Sequence, residues 1–235
     1  MKTTWVLMRK ELRLYYASPL AYFLSAFFLL VSGFFFVLIL KSTQDIQLMR
    51  YVFSNTTVIL LLLGPLLAMH LIAEERKQHT LPLLFSAPVY TGQIILGKYL
   101  AALILLGFLL LCTLHYPLFL VFLGNPPIAP IVSGYIGLFL MGSVFMGIGL
   151  LSSIWARNAT VAAISAFGVS LLWWFLGLEP GENKVFKALS LHSHQESFSM
   201  GWISLADTTF YLSILAALLA LSTLSLSLQR GRHRG

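Results

Sequence analysis

EERKQHTLPLLFSAPVYTGQIILGK, residues 74–98, decides the reading of this chain. It is a charged island with apolar runs of membrane length on both sides. Its first four residues, Glu74, Glu75, Arg76 and Lys77, are all charged. Beyond them the stretch turns amphipathic. Leu81, Leu84 and Phe85 fall at helical spacing, with Thr80 at the N-cap position and Pro82 in a first turn, where its missing N–H is harmless. Pro88 ends such a helix. A short helix wedged between two spans either fixes topology as an ordinary basic loop or offers a contact surface to a cytoplasmic partner.

Outside the island the composition is that of a membrane protein. Of 235 residues, 58% are hydrophobic and only 10% charged, with mean hydropathy +0.87. A soluble domain carries about 25% charged residues. The formal net charge of +7 invites a nucleic-acid reading. However, the basic residues are scattered between apolar runs rather than gathered on one face, so they speak for topology and against nucleic acid. Cys112, the single cysteine, excludes an intrachain disulfide and a cysteine-based metal cluster.

The pattern predicts an all-α, polytopic fold in one domain, 1–235, with six spans at about 20–40, 51–73, 99–123, 131–156, 161–178 and 208–228. Residues 1–19 read as an interfacial elbow helix. Trp5, Met8, Leu12 and Tyr15 form its apolar side and Arg9, Lys10 and Arg13 its basic side, facing anionic lipid. Ser18-Pro19 breaks it. Gly64-Pro65 predicts a kink in the second span, where Asn55, Thr56 and Thr57 are expected to bond neighbouring helices. The stretch 124–130, rich in Gly and Pro, separates the third and fourth spans. Ser143 and Gly147 read as a close-packing pair, within one chain or across a subunit interface. Residues 179–207 form an external segment with an amphipathic patch at Val185, Phe186 and Leu189.

Six spans put both termini on one side. Lys2, Arg9, Lys10, Arg13, Arg76, Lys77, Lys98, Arg157, Arg230, Arg232 and Arg234 share it, leaving Lys41, Arg50, Lys184 and Lys187 opposite. The excess of basic residues makes the first side cytoplasmic.

Catalytic chemistry is sparse. His70 and His115 are the titratable groups expected within spans, each near an end. No carboxylate or cation is expected deep in a span, where an ion-driven carrier keeps its coupling groups, so the energy of any transport comes from elsewhere. Gly92 to Lys98 fits the start of a phosphate-binding loop. Tyr99 stands where the magnesium-binding hydroxyl belongs, and no strand precedes it. His192 and His194 supply at most half of a metal site.

The island resembles the signature of type-2 ATP-binding-cassette transporter permeases. The matching positions are Glu74, Glu75, Arg76, Thr80, Leu81, Leu83, Leu84, Pro88, Val89, Gly97 and Lys98. His79 stands where that family usually has glycine, and Pro82 where it has a helix former. Lys10 to Arg13 with Ser18 to Tyr22, and His194 to Phe198 with Gly201 and Asp207, resemble the gliding-motility branch, which also covers permeases of copper-enzyme maturation. The resemblance implies a coupling helix at about His79–Ala87, which includes Leu84, receiving a cytoplasmic ATPase subunit. It also implies a second permease subunit, identical or not, in a bacterial cytoplasmic membrane. This chain would then hold no cofactor and perform no catalysis, ATP and magnesium belonging to the ATPase. The rival readings are a half-size ion-driven carrier and a non-transporting membrane anchor.

Overall fold

The computed structural model describes residues 2–42, 48–123, 127–175 and 189–232. Among them every regular element is a helix: α1 Lys2–Ala17, α2 Pro19–Ser42, α3 Leu48–Ala68, α4 His70–Lys77, α5 Leu81–Ser86, α6 Thr91–Cys112, α7 His115–Leu123, α8 Ile128–Trp155, α9 Ala159–Phe175, α10 Leu191–Ser199 and α11 Leu205–Arg232. Val185 and Phe186 lie outside the described residues.

Five segments are long and apolar enough to cross a bilayer: α2, α3 continued by α4, α6 continued by α7 as far as Phe122, α8, and α11 as far as Gly231. The apolar α9 is shorter, at 17 residues. The segments α3–α4 and α8 are mostly enclosed, whereas α2 and α11 expose most of their apolar surface, as lipid-facing helices do. The α3–α8 crossing is tight. A Cβ on Gly149 would stand 2.6 Å from the Ala68 Cβ, so only hydrogen fits there.

Several boundaries differ from expectation. The second span is interrupted at Met69, one turn beyond Pro65, rather than at the Gly64-Pro65 pair itself. Asn55, Thr56 and Thr57 bond the carbonyls of Tyr51, Val52 and Phe53 in their own helix instead of a neighbour. A polar group one turn from a helical carbonyl finds its partner locally. The third span begins at Thr91, eight residues early, and breaks at Thr113-Leu114. The island is therefore not one loop. Glu74 to Lys77 end α4, residues 81–86 form α5, and Thr91 to Lys98 are the first two turns of α6.

Ser18 separates α1 from α2 as its sequence requires. Toward the bundle α1 turns Glu11 together with Tyr15 of its apolar side. Trp5 is exposed, with the Arg9 guanidinium 5.4 Å from its ring centroid. Glu11 is buried, and the Tyr15 hydroxyl donates to the Leu67 carbonyl at 2.9 Å. Burial, reinforced by the nearby Glu11 charge, pushes the Tyr15 phenol above its ordinary range.

Candidate functional site at the charged end of the bundle

The adjacent residues Glu75 and Arg76 lie at the centre of this end. Glu75 Oε1 is 3.0 Å from Lys98 Nζ and 3.3 Å from Lys10 Nζ. Lys98 Nζ also donates to Glu11 Oε1 at 2.8 Å. Two carboxylates and two ammoniums alternate, joining α1, α4 and α6. Lys98 is only 2% exposed and Glu11 7%. Such a buried pair persists because each charge is compensated in place. Burial works against the Lys10 charge, but Glu11 and Glu75 outweigh it and hold the ammonium above its ordinary pKa. Gly97 lets this happen. A Cβ there would stand 2.9 Å from Leu7 Cβ and 3.1 Å from the Thr4 carbonyl, so glycine lets α1 lie directly on α6. The Gly97-Lys98 pair that resembled a phosphate-binding loop is thus helical, and it serves packing and charge compensation.

Arg76 reaches the other way. Its guanidinium donates to the Ala156, Ile154 and Gln229 oxygens, each at 2.6 Å. The first two are carbonyls at the end of α8, left without intrahelical partners by the helix geometry. Gln229 Nε2 also donates to the Ile154 carbonyl at 3.1 Å. One dipeptide thereby ties α4 to α1 and α6 on one side and to α8 and α11 on the other.

The chain leaves α4 through a left-handed residue. His79 has φ +57°, and the His79 and Thr80 amides donate back to the Arg76 and Glu75 carbonyls at 3.1 and 2.9 Å. This is the paired 5→2 and 6→1 closure that favours glycine at the left-handed site. The departure of His79 from the resembled pattern therefore falls on a position of backbone strain. Thr80 occupies the N-cap position of α5, but its hydroxyl donates backward to the Glu75 carbonyl at 3.2 Å, so it caps nothing ahead.

Leu81 and Phe85 bury one side of α5, and Leu84 is half-buried against the core. The outward position belongs to Leu83, 70% exposed, followed by Tyr90 at 80%. Of the coupling-segment leucines named from the sequence, Leu83 is thus the one turned outward, about 100° round the helix from Leu84. Beyond Ser86 the backbone is extended at Ala87, and Pro88 follows.

Arg230, read from the sequence only as a basic tail residue, holds the end of α5. Its guanidinium donates to the Val89, Phe85 and Ala87 carbonyls at 2.6, 2.8 and 2.9 Å. A cation at a helix C-terminus is favoured both by these unpaired acceptors and by the helix dipole. Arg9 and Arg13 are exposed and stay outside this network.

Ser143 and Gly147 lie elsewhere, inside this chain. The Ser143 carbonyl accepts from Tyr99 at 2.9 Å, and a Cβ on Gly147 would stand 3.1 Å from Leu218 of α11. At the far end, His194 Nδ1 lies 2.5 Å from Asp207 Oδ1 while His192 packs edge-on against Trp174. The two histidines therefore have different partners. No group of three metal-ligating side chains occurs among the described residues. His115 bonds the Cys112 carbonyl at 2.6 Å, and His70 faces Glu74 at 3.5 Å.

A family model described as "ABC-2 family transporter protein" matches residues 5–231. No curated protein matches the chain.

Proposed function

Since this chain belongs to the ABC-2 transporter family, matched over residues 5–231, we propose that it is the permease subunit of an ATP-driven exporter, worked from the cytosol by a separate ATPase. The family makes it a multi-pass membrane component of an ABC transporter. The finer reading has six spans, with α9 as the fifth. At 1.5 Å per residue its 17 residues reach about 26 Å, a shortfall that slight thinning of the bilayer absorbs. Both termini and α5 then face the cytosol of a bacterial inner membrane. A second permease subunit completes the pathway, and ATP and magnesium are held by the ATPase. The finer family reading, on the resemblance of residues 10–13, 18–22 and 194–198, is the branch of gliding-motility and copper-maturation permeases.

The observation that carries the reading is α5 itself. It offers Leu83 outward, while its buried side and its C-terminal carbonyls are held by the bundle through Phe85 and Arg230. A surface so attached transmits force. Closure of an ATPase dimer pulling on α5 would draw α11 through Arg230, α8 through Arg76, and α1 and α6 through Glu75. Coupling of this kind needs a contiguous network with two arrangements. The half-size carrier has no such support, because the buried charges Glu11 and Lys98 gather at one end of the bundle and compensate one another.

The test is purification of the chain with its natural neighbours. The wild type should retain an ATPase that has a complete phosphate-binding loop. Leu83→Asp should insert and fold normally yet lose that ATPase. Retention of the ATPase by Leu83→Asp would remove α5 from the docking role.

A further inference from the structure

A cavity of about 710 Å³ lies between the elbow helix α1, the start of α2 and the α3–α4 junction. Its floor is hydrocarbon, including Leu24, Leu66 and Leu71. Its rim is ionic, formed by α4 and the Lys10–Glu11–Glu75–Lys98 cluster. The floor belongs to spans that lie in the bilayer and the rim to the charged turns that end them. The cavity therefore straddles the level at which acyl chains give way to head groups. Leu14, on its α1 wall, is exposed.

The rim charges divide into two groups. Lys10 and Lys98 are matched by Glu11 and Glu75 through contacts of 2.8 to 3.5 Å. That leaves Glu74 and Lys77. Lys77 makes no ion pair among the described residues, and Glu74 has only the Gln78 amide at 2.9 Å and His70 at 3.5 Å. The second oxygen of Glu75 is buried without a donor. The unmatched pair is thus one anion and one cation one turn apart on α4, above a hydrocarbon floor. A purely anionic head group would leave Glu74 facing negative charge. A zwitterion with a phosphate and a proton-bearing ammonium matches both charges and offers N–H donors to Glu74 and, after a turn of its carboxylate, to Glu75.

We propose that this cavity binds an amine-bearing, zwitterionic phospholipid of the phosphatidylethanolamine class. The ammonium sits on Glu74, the phosphate on Lys77, and the upper part of the acyl chains lies on the leucine floor. The bound lipid fills the space between the elbow helix and α4, beside the charges that join them. This inference needs only that the chain spans a bilayer. It does not depend on which side is cytoplasmic or on docking at α5.

The experiment offers the purified full-length chain equal amounts of phosphatidylethanolamine, phosphatidylcholine and phosphatidylglycerol with identical acyl chains, and counts retained lipid by native mass spectrometry. Phosphatidylcholine carries the same charges but no N–H. Phosphatidylethanolamine should be retained about tenfold better, the equilibrium equivalent of one charge-assisted hydrogen bond. Glu74→Gln should erase that preference, and Leu14→Trp should weaken all three lipids. Free phosphoethanolamine, which shares the head group, should not displace the lipid at matched concentration. Equal retention of phosphatidylethanolamine and phosphatidylcholine, preference for phosphatidylglycerol, or displacement by free phosphoethanolamine would each overturn the proposal. These readings require no variant beyond the wild type, so a poorly folding mutant leaves the test intact.

Discussion

The two ends of the bundle are fastened differently. At the charged end, buried ions and guanidiniums reach across the chain. Lys98 bonds Glu11, Arg76 bonds the end of α8, and Arg230 bonds the end of α5. At the far end the fastening is mostly neutral. The Tyr211 hydroxyl donates to the Leu191 carbonyl at 2.8 Å and the Ser133 hydroxyl to the Phe198 carbonyl at 2.6 Å. Of its two ion pairs among the described residues, Arg50–Glu196 is more than one-third exposed on both sides. The more enclosed His194–Asp207 joins only the neighbouring helices α10 and α11, with charge on both partners only when the histidine is protonated. A neutral bond to a carbonyl contributes about 0.5–1.5 kcal/mol, and an exposed ion pair about 0–1. Removing one member of a buried pair costs about 3–5 kcal/mol. The comparison teaches that the charged end is where helices are locked to one another, and where a pull on one is felt by several.

The sharpest way to break the comparison is Lys98→Ala. It should lower unfolding stability in mild detergent by about 3–5 kcal/mol, because Glu11 and Glu75 lose their shared cation. Adding Glu11→Gln should restore part of that loss, as it removes one stranded charge. Full additivity of the two changes would deny the pairing. Gly97→Ala comes next. Its methyl would push α1 off α6, at about 1–3 kcal/mol, and a spin-label distance between the two helices should lengthen. Arg230→Gln should lose about 1–3 kcal/mol and loosen α5, read as faster amide exchange in residues 81–90. Arg50→Gln at the far end should change stability by less than about 1 kcal/mol. A loss there as large as that of Lys98→Ala would erase the distinction between the ends.

How much of this was legible in the sequence follows the range of each interaction. Five apolar segments of membrane length were readable because hydrophobic runs declare themselves residue by residue, and α5 because Leu81, Phe85 and Pro88 are local signals. Lys98 reads from the sequence as the last residue before the third span because a charge beside an apolar run looks like a boundary, whereas it lies two turns into α6. Its partner Glu11 is 87 residues away, and no periodicity announces such a contact. Arg230 and Arg76 reach even more unexpected targets, since backbone carbonyls carry no sequence signature. Arg230 to Phe85 spans 145 positions. The sequence names both Leu83 and Leu84 in the coupling segment, and which of them faces outward is a matter of phase, set by where the helix starts. A signal was present for the strained turn: histidine at position 79, where the resembled pattern has glycine, marks the residue with positive φ. His79→Gly should relieve strain there by about 1 kcal/mol.

The central claim is that α5 works from the cytosolic side. With Cys112 replaced by serine, a single cysteine is placed at Leu83 or, for contrast, at the exposed Trp202 near the far end. A membrane-impermeant maleimide is then added to intact cells and to permeabilised ones. The account predicts that Trp202→Cys reacts in intact cells and Leu83→Cys only after permeabilisation. Labelling of Leu83→Cys in intact cells would contradict it.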